Sequence, residues 1–163
     1  MELPIKRHIA LQPLSHDHHQ GLLVCWKIKS GLDNKVDLKR IKAFLDFYFE
    51  HHLKGHFDLE ENYIFTILGN DHFLIQQALA EHRMLRSLFA KHEDLAHVIP
   101  DIGSCLRGHI RFEERILFNE IQKVATEEQF ARISEMHADN NREINELIES
   151  WKDPFWEQGE TIK

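Results

Sequence analysis

The residues best suited to chemistry stand in a short pattern that the chain uses twice. Gly55-His56-Phe57-Asp58-Leu59-Glu60-Glu61-Asn62-Tyr63-Ile64-Phe65 is echoed by Gly108-His109-Ile110-Arg111-Phe112-Glu113-Glu114-Arg115-Ile116-Leu117-Phe118. Gly, His, both Glu and the final Phe coincide, so the shared core reads G-H-x-x-x-E-E-x-x-h-F, with h Ile or Leu. On an α-helix, a histidine and a carboxylate four residues apart differ by about 40 degrees in azimuth and about 6 Å along the axis, so both reach one object. Two such helices face to face would bring two imidazoles and two carboxylates to one point, the arithmetic of a metal centre between helices.

A single His-x-x-x-Glu pair is also an ordinary ion pair on an exposed helix face. Duplication shifts the balance towards a site. Both copies are interleaved with large apolar residues (Phe57, Leu59, Phe65, Phe112, Ile116 and Phe118), and a carboxylate among such neighbours is costly to bury without a compensating charge or metal. The candidate ligands are therefore His56 with Glu60 and His109 with Glu113. His18, from an earlier helix, and His82, from an intervening one, complete the set. His16 and His19 are alternates to His18. Glu61 and Glu114 stand about 100 degrees round from their predecessors, so outer contacts are expected of them, with ligation as the alternate role. His52, four before His56, suits an outer partner or a gate, whereas His51, His72, His92, His97 and His137 read as caps, boundary groups or surface residues. Imidazole nitrogen with carboxylate oxygen suits iron, manganese or zinc, and four histidines with two carboxylates are enough for two ions if the carboxylates bridge.

Elements that position these residues are helices throughout. Ser15 caps a first helix over about 15–29, with Ser30-Gly31 as its stop. Asp37 caps a second that runs through Leu38, Ile41, Phe44, Leu45 and Tyr48 to about Leu68, with Gly55 as a point of close helix approach. After the turn Gly69-Asn70-Asp71, a third helix capped by Asp71 carries Leu74 to Phe89. A fourth spans His92 to Gln122, kinked or begun at Pro100, and Thr126 starts a more polar fifth that reaches about Ile148. Its stripe is Phe130, Ile133, Met136, Ile144 and Leu147. Leu3, Ile5, Ile9 and Leu11 of the lead-in are available to cover an edge, and the Trp151-to-Trp156 tail is expected to fold back on a groove or to serve a subunit contact.

With 163 residues and 42% hydrophobic content the chain suits one domain, 1–163, with a bundle core over about 15–123. Its formal charge of -7, with signs intermixed, excludes a basic nucleic-acid stripe. Neither a bilayer-length apolar run nor a secretory signal is visible, so membrane association is not expected and a cytoplasmic location is. Cys25 and Cys105 have no CxxC spacing and read as reduced core residues. Short loops and the absence of strand alternation favour an antiparallel up-and-down arrangement.

Taken together, Ser15-His16-Asp17-His18-His19, His56-Phe57-x-x-Glu60-Glu61, Glu81-His82-Arg83-x-Leu85 and His109-Ile110-x-x-Glu113-Glu114-x-x-Leu117-Phe118 resemble the hemerythrin-like, HHE cation-binding domain family. The resemblance covers most of the chain, from about Leu14 into the fifth helix. It implies an all-α four-helix bundle with two non-haem iron ions bridged by Glu60, Glu113 and an oxo or hydroxo group. One departure bears on function: where oxygen-carrying hemerythrins place two histidines four apart on the third helix, this chain has Ala78 four before His82. His16, His19, Glu61 or water would have to supply the missing ligand.

The expected function is a metal-binding protein whose di-iron centre binds a small diatomic ligand, dioxygen or nitric oxide, or responds to iron or redox status. Phe57, Phe112, Trp26 and nearby Leu residues would keep the pocket dry. Two rivals use the same residues: a di-iron oxidoreductase acting on peroxide or dioxygen, and a zinc or manganese structural module. The latter, or a homodimer, would engage its partner through the aromatic tail.

Overall fold

The structure, a computed structural model, describes residues 6–137 and 141–157. The expectations for Leu3 and Ile5, for 138–140 within the fifth helix, and for the Ile144 side chain lie outside the described residues. Among the described residues the secondary structure is entirely helical, and no helix is long and apolar enough to cross a membrane.

After a single 3-10 turn, Ile9–Leu11, helix α1 occupies Gln12–Asp33. It starts three residues earlier than expected because Pro13 sits in its first turn, where the missing N–H has no helical partner to lose. Ser15 is consequently inside the helix, and Ser30-Gly31 does not stop it. Helix α2 is a continuous rod over 38–67, built of Leu38–Tyr48, Lys54–Leu59 and a closing 3-10 turn, Phe65–Ile67, joined by π-helical turns at Phe49–Leu53 and Glu60–Ile64. Asp37 caps it as anticipated, its side chain accepting from the Lys39 N–H. Helix α3 is Phe73–Phe89, capped by the His72 side chain rather than by Asp71. Helix α4 spans 95–124, with Pro100 inside its first segment, Leu95–Phe112, then a π turn at Glu113–Leu117 and a final stretch Phe118–Val124. Helix α5, Glu127–His137, begins with a capping box in which Gln129 N–H donates to Thr126 Oγ1 and Thr126 N–H to Gln129 Oε1. Helix α6 is Asn141–Glu149.

Two apolar clusters bracket the polar residues of interest. One gathers Cys25, Ile28, Phe44, Tyr48, Leu85, Ile102 and Leu106. The other gathers Leu11, Leu14, Phe65, Ile75, Phe118 and Ile121, with Phe130 and Ile133 of α5. Helices α1 and α3 run from the second cluster to the first, and α2 and α4 run from the first to the second. Chain direction thus alternates, and the buried His and Glu residues of each helix fall between its two apolar ends.

The tail folds back, with Phe155 buried against Phe44 and Trp156 stacking near Lys27. Several anticipated inner residues point outward: Trp26 is 55% exposed and so does not wall the polar cluster, and Ile116, Met136 and Leu147 are also exposed. Gly55 marks no close approach, since a Cβ there would meet nothing within 4 Å. Both cysteines are free thiols, Cys25 buried and Cys105 half-buried.

Candidate metal centre

Each of the first four helices sends an imidazole inward, His18 from α1, His56 from α2, His82 from α3 and His109 from α4. Helices α2 and α4 add Glu60 and Glu113, both fully buried. Glu60 Oε2 lies 3.0 Å from His56 Nε2 and 3.6 Å from His18 Nε2, while its Oε1 lies 3.1 Å from His82 Nε2. Glu113 Oε1 lies 2.9 Å from His18 Nε2, while its Oε2 lies 3.1 Å from His109 Nε2 and 3.7 Å from His82 Nε2. Each carboxylate therefore divides its oxygens between two pairs of imidazoles. The result is two donor quartets, His18, His56, Glu60 and Glu113, and His82, His109, Glu60 and Glu113, with donor atoms in each quartet within 4.8 Å of one another.

These close contacts are not hydrogen bonds. His18 Nε2, His56 Nε2 and all four oxygens of Glu60 and Glu113 are buried without a hydrogen-bond partner. His82 Nε2 and His109 Nε2 face each other at 3.1 Å. With the Nδ1 of each ring engaged by a carboxylate, the matching tautomer places a lone pair at both Nε2 atoms. Buried polar atoms are normally paired; in that neutral tautomer lone pairs converge with no donor among them, which is what a cation requires. The residues present fit a metal pair.

Every Nδ1 is held from behind by a carboxylate of a neighbouring helix. His18 meets Glu114 at 2.6 Å, His56 meets Asp17 at 2.9 Å, His82 meets Glu61 at 2.6 Å and His109 meets Glu81 at 2.7 Å. The ring closes on itself, from α1 to α4, α4 to α3, α3 to α2 and α2 to α1. Such contacts set the tautomer and raise the basicity of the ligating nitrogen. Two of the outer carboxylates are themselves anchored by guanidinium groups, Glu114 by Arg7 and Glu61 by Arg86. Aromatic rings flank the imidazoles, with Phe57 stacked on His82 and Phe118 on His18.

Without metal the carboxylates recruit protons. Burial alone would push the imidazoles down, but neighbouring carboxylates outweigh it, carrying His56 up to about 9 and His82 up to about 11, and raising His18 and His109 as well. Burial would raise both Glu60 and Glu113, and the Glu113 charge would raise Glu60 further, yet the surrounding imidazoles, His56 and His18 for Glu60 and His109 and His18 for Glu113, hold both below the usual carboxylate range. Asp17 is likewise held down, against burial, by hydrogen bonds from His137 and His56. His52, buried 3.7 Å from Asp17 Oδ1, is pushed down to about 4, chiefly by burial.

The structure thus brings His18, His56, Glu60, His82, His109 and Glu113 together, and leaves the alternates outside. His16 and His19 are exposed on α1. Glu61 and Glu114 serve as outer partners, on helices other than their own. Ala78 is fully buried in the apolar cluster beside Leu14 and Phe65, so that position is filled by packing, and no other residue supplies a further ligand among those described. Asp17 and Glu81 escaped the sequence reading as functional groups. Each immediately precedes a ligand candidate in the chain, which is the signal available, but each serves a histidine on another helix. His137 is a third omission: it leaves α5 to bond Asp17 Oδ2 at 3.0 Å.

A cavity of ≈ 10 Å³ lies against His18 and His56 of one quartet and His109 of the other, next to Tyr48, His52 and Asp17. Comparison with models of protein families, with curated proteins and with solved structures finds no match to this chain.

Proposed function

We propose that the chain is a hemerythrin-like protein, an antiparallel up-and-down four-helix bundle holding a dinuclear non-haem iron centre that binds a small diatomic ligand, dioxygen or nitric oxide, or reports iron and redox status. The observation that carries this reading is the pair of donor quartets sharing both Glu60 and Glu113. Alternating helix directions between two apolar clusters support the bundle. Two imidazoles and one oxygen from each of Glu60 and Glu113 would offer each ion four protein donors. Iron accommodates more than four, which would leave room for an exogenous ligand. When bound, the metal pair would supply ligand affinity and redox chemistry. The chain's own residues hold the ions, fix each imidazole through its outer carboxylate, and exclude bulk water with Phe57, Phe65, Phe112 and Phe118.

The donor count also supports a second reading. Four nitrogen and oxygen donors complete a tetrahedral zinc site, which would make the centre a structural one. Metal analysis after expression in iron-supplemented medium separates the two. The iron reading expects two iron ions per chain with the near-ultraviolet absorption of a bridged ferric pair. Zinc at the same stoichiometry, retained after iron loading, would favour the structural module. Less than about half an equivalent of any transition metal contradicts both.

A further inference from the structure

The repeated plan of the chain leaves one groove covered and its counterpart open. When His18 is matched to His82 and His56 to His109, the residues Glu81, Met84, Cys105 and Gly108 of α3 and α4 take the places of Asp17, Gln20, His52 and Gly55 on α1 and α2. In the first half Asp17, Gln20 and His52 are buried, and His137 comes in from α5 to bond the Asp17 carboxylate at 3.0 Å. In the second half Met84 is 55% exposed, the Glu81 side chain is 31% exposed, and Cys105 is half-buried.

Between α3 and α4 lies a cleft of ≈ 400 Å³, within the usual size of a small-molecule pocket. Ala80, Met84, Cys105 and Gly108 line it with small or apolar groups, and Gln77, Glu81 and His109 supply polar atoms. Glu81 Oε1 meets His109 Nδ1 at 2.7 Å, and its Oε2 accepts from Gln77 Nε2 at 3.0 Å. An ionised carboxylate has about four acceptor sites, so Glu81 can take further donors from the cleft. Burial raises the Cys105 thiol, and the charges of Asp101 and Glu81 raise it further, so the field around it is negative. The basic side chains of Arg107 and Arg111 on the same helix act instead on Cys25 of α1. Too few donors converge here for a metal ion, since the groups of three or more among the described residues are the two quartets.

We propose that this cleft binds a small organic cation, an amidinium or ammonium group carried on an apolar body, whose N–H groups donate to Glu81 as His137 does to Asp17. The apolar body lies against Ala80 and Met84, in the space left by the missing side chain of Gly108, where a Cβ would meet nothing within 4 Å. Binding there requires no metal.

The test uses the full chain, benzamidine as the probe, and benzamide, a neutral molecule of nearly the same shape, as its control. Calorimetry gives affinity and stoichiometry, and the rate of Cys105 alkylation by iodoacetamide locates the ligand, Cys25 being buried. We expect one benzamidine per chain, benzamide at least about ten-fold weaker for want of a charge-assisted contact, and slower Cys105 alkylation at saturation. Glu81→Gln should weaken benzamidine about ten-fold and leave benzamide unchanged. Gly108→Leu, whose side chain enters the open space, should abolish binding of both. No saturable benzamidine binding, equal affinity for benzamide, an unchanged alkylation rate at saturation, or undiminished benzamidine binding by either variant overturns the proposal. Should a variant fail to fold, the benzamide comparison and Cys105 protection in the parent decide. None of these readings needs bound metal, so their failure leaves the dinuclear centre standing.

Discussion

Glu60 and Glu113 each place one oxygen towards the α1 and α2 imidazoles or towards α1 alone, and the other towards the opposite side. Behind them the four outer carboxylates make the imidazoles good ligands and hold them still. Asp17→Asn keeps the shape but removes the charge behind His56, and should lower metal affinity about 10- to 100-fold with the fold intact, as read by chelator competition alongside far-ultraviolet circular dichroism. Protons and metal compete for the same nitrogens, which sets the pH dependence. His56 and His82 have folded pKa values near 9 and 11, above the unfolded value of 6.5. Their stabilisation of the metal-free chain is therefore fully present below about pH 6.5 and is lost as pH rises through 9 and beyond. Metal binding strengthens over the same range because fewer protons must be displaced. The gap in melting temperature between loaded and metal-free protein should widen from pH 6.5 to 9; a narrowing gap would contradict the assignment of these histidines as ligands. Four of the inner residues were legible because helical spacing joins His56 to Glu60 and His109 to Glu113 within one stretch of sequence, whereas His18 carried no such partner and stood beside His16 and His19 as alternates. Asp17 and Glu81 were not legible, because their partners sit on other helices and no local spacing encodes a contact between helices.

At the scale of elements, the repeated motif encodes more than a pair of ligands. Both copies enter a π turn at the glutamate shared by the two quartets, with Phe65 N–H donating to the Glu60 carbonyl and Phe118 N–H to that of Glu113. On an unbroken α-helix a residue five positions on would stand about 140 degrees round. The wider turn brings Phe65 and Phe118 back inside, where both are fully buried. Periodicity at 3.6 residues cannot show this, although the coincidence of Phe in both copies was its trace. Gly55 does not mark the close approach its sequence suggested: it and Gly108 both face open space, with ordinary helical backbone. Gly55→Ala and Gly108→Ala should each stabilise by up to about 1 kcal/mol, read as a higher urea midpoint with an unchanged slope. Helix α5 reaches the site through His137, bonded to Asp17, and weakening its capping box with Thr126→Ala should cost about 1 kcal/mol and speed hydrogen exchange in α5 ahead of α1 to α4.

The molecule as a whole repeats a two-helix unit. Asp17-His18 followed by His56 and Glu60-Glu61 is matched by Glu81-His82 followed by His109 and Glu113-Glu114. Within each half the first acid serves the second histidine. Between halves the last glutamate serves the other half's first histidine. This two-fold plan was visible as a repeat of eleven residues but not in its cross-connections, which only the packed helices reveal. Its consequence is that neither donor quartet is private, since Glu60 and Glu113 belong to both. Glu60→Ala should leave fewer than about one metal ion per chain rather than removing a single ion cleanly, as measured by metal analysis after gel filtration. The most direct test of the dinuclear centre is anomalous scattering from crystals of iron-loaded protein, with data above and below the iron edge. The account predicts two iron peaks flanked by Glu60 and Glu113, one against His18 and His56 and the other against His82 and His109. A single peak, or none between those carboxylates in protein shown to contain iron, would contradict it.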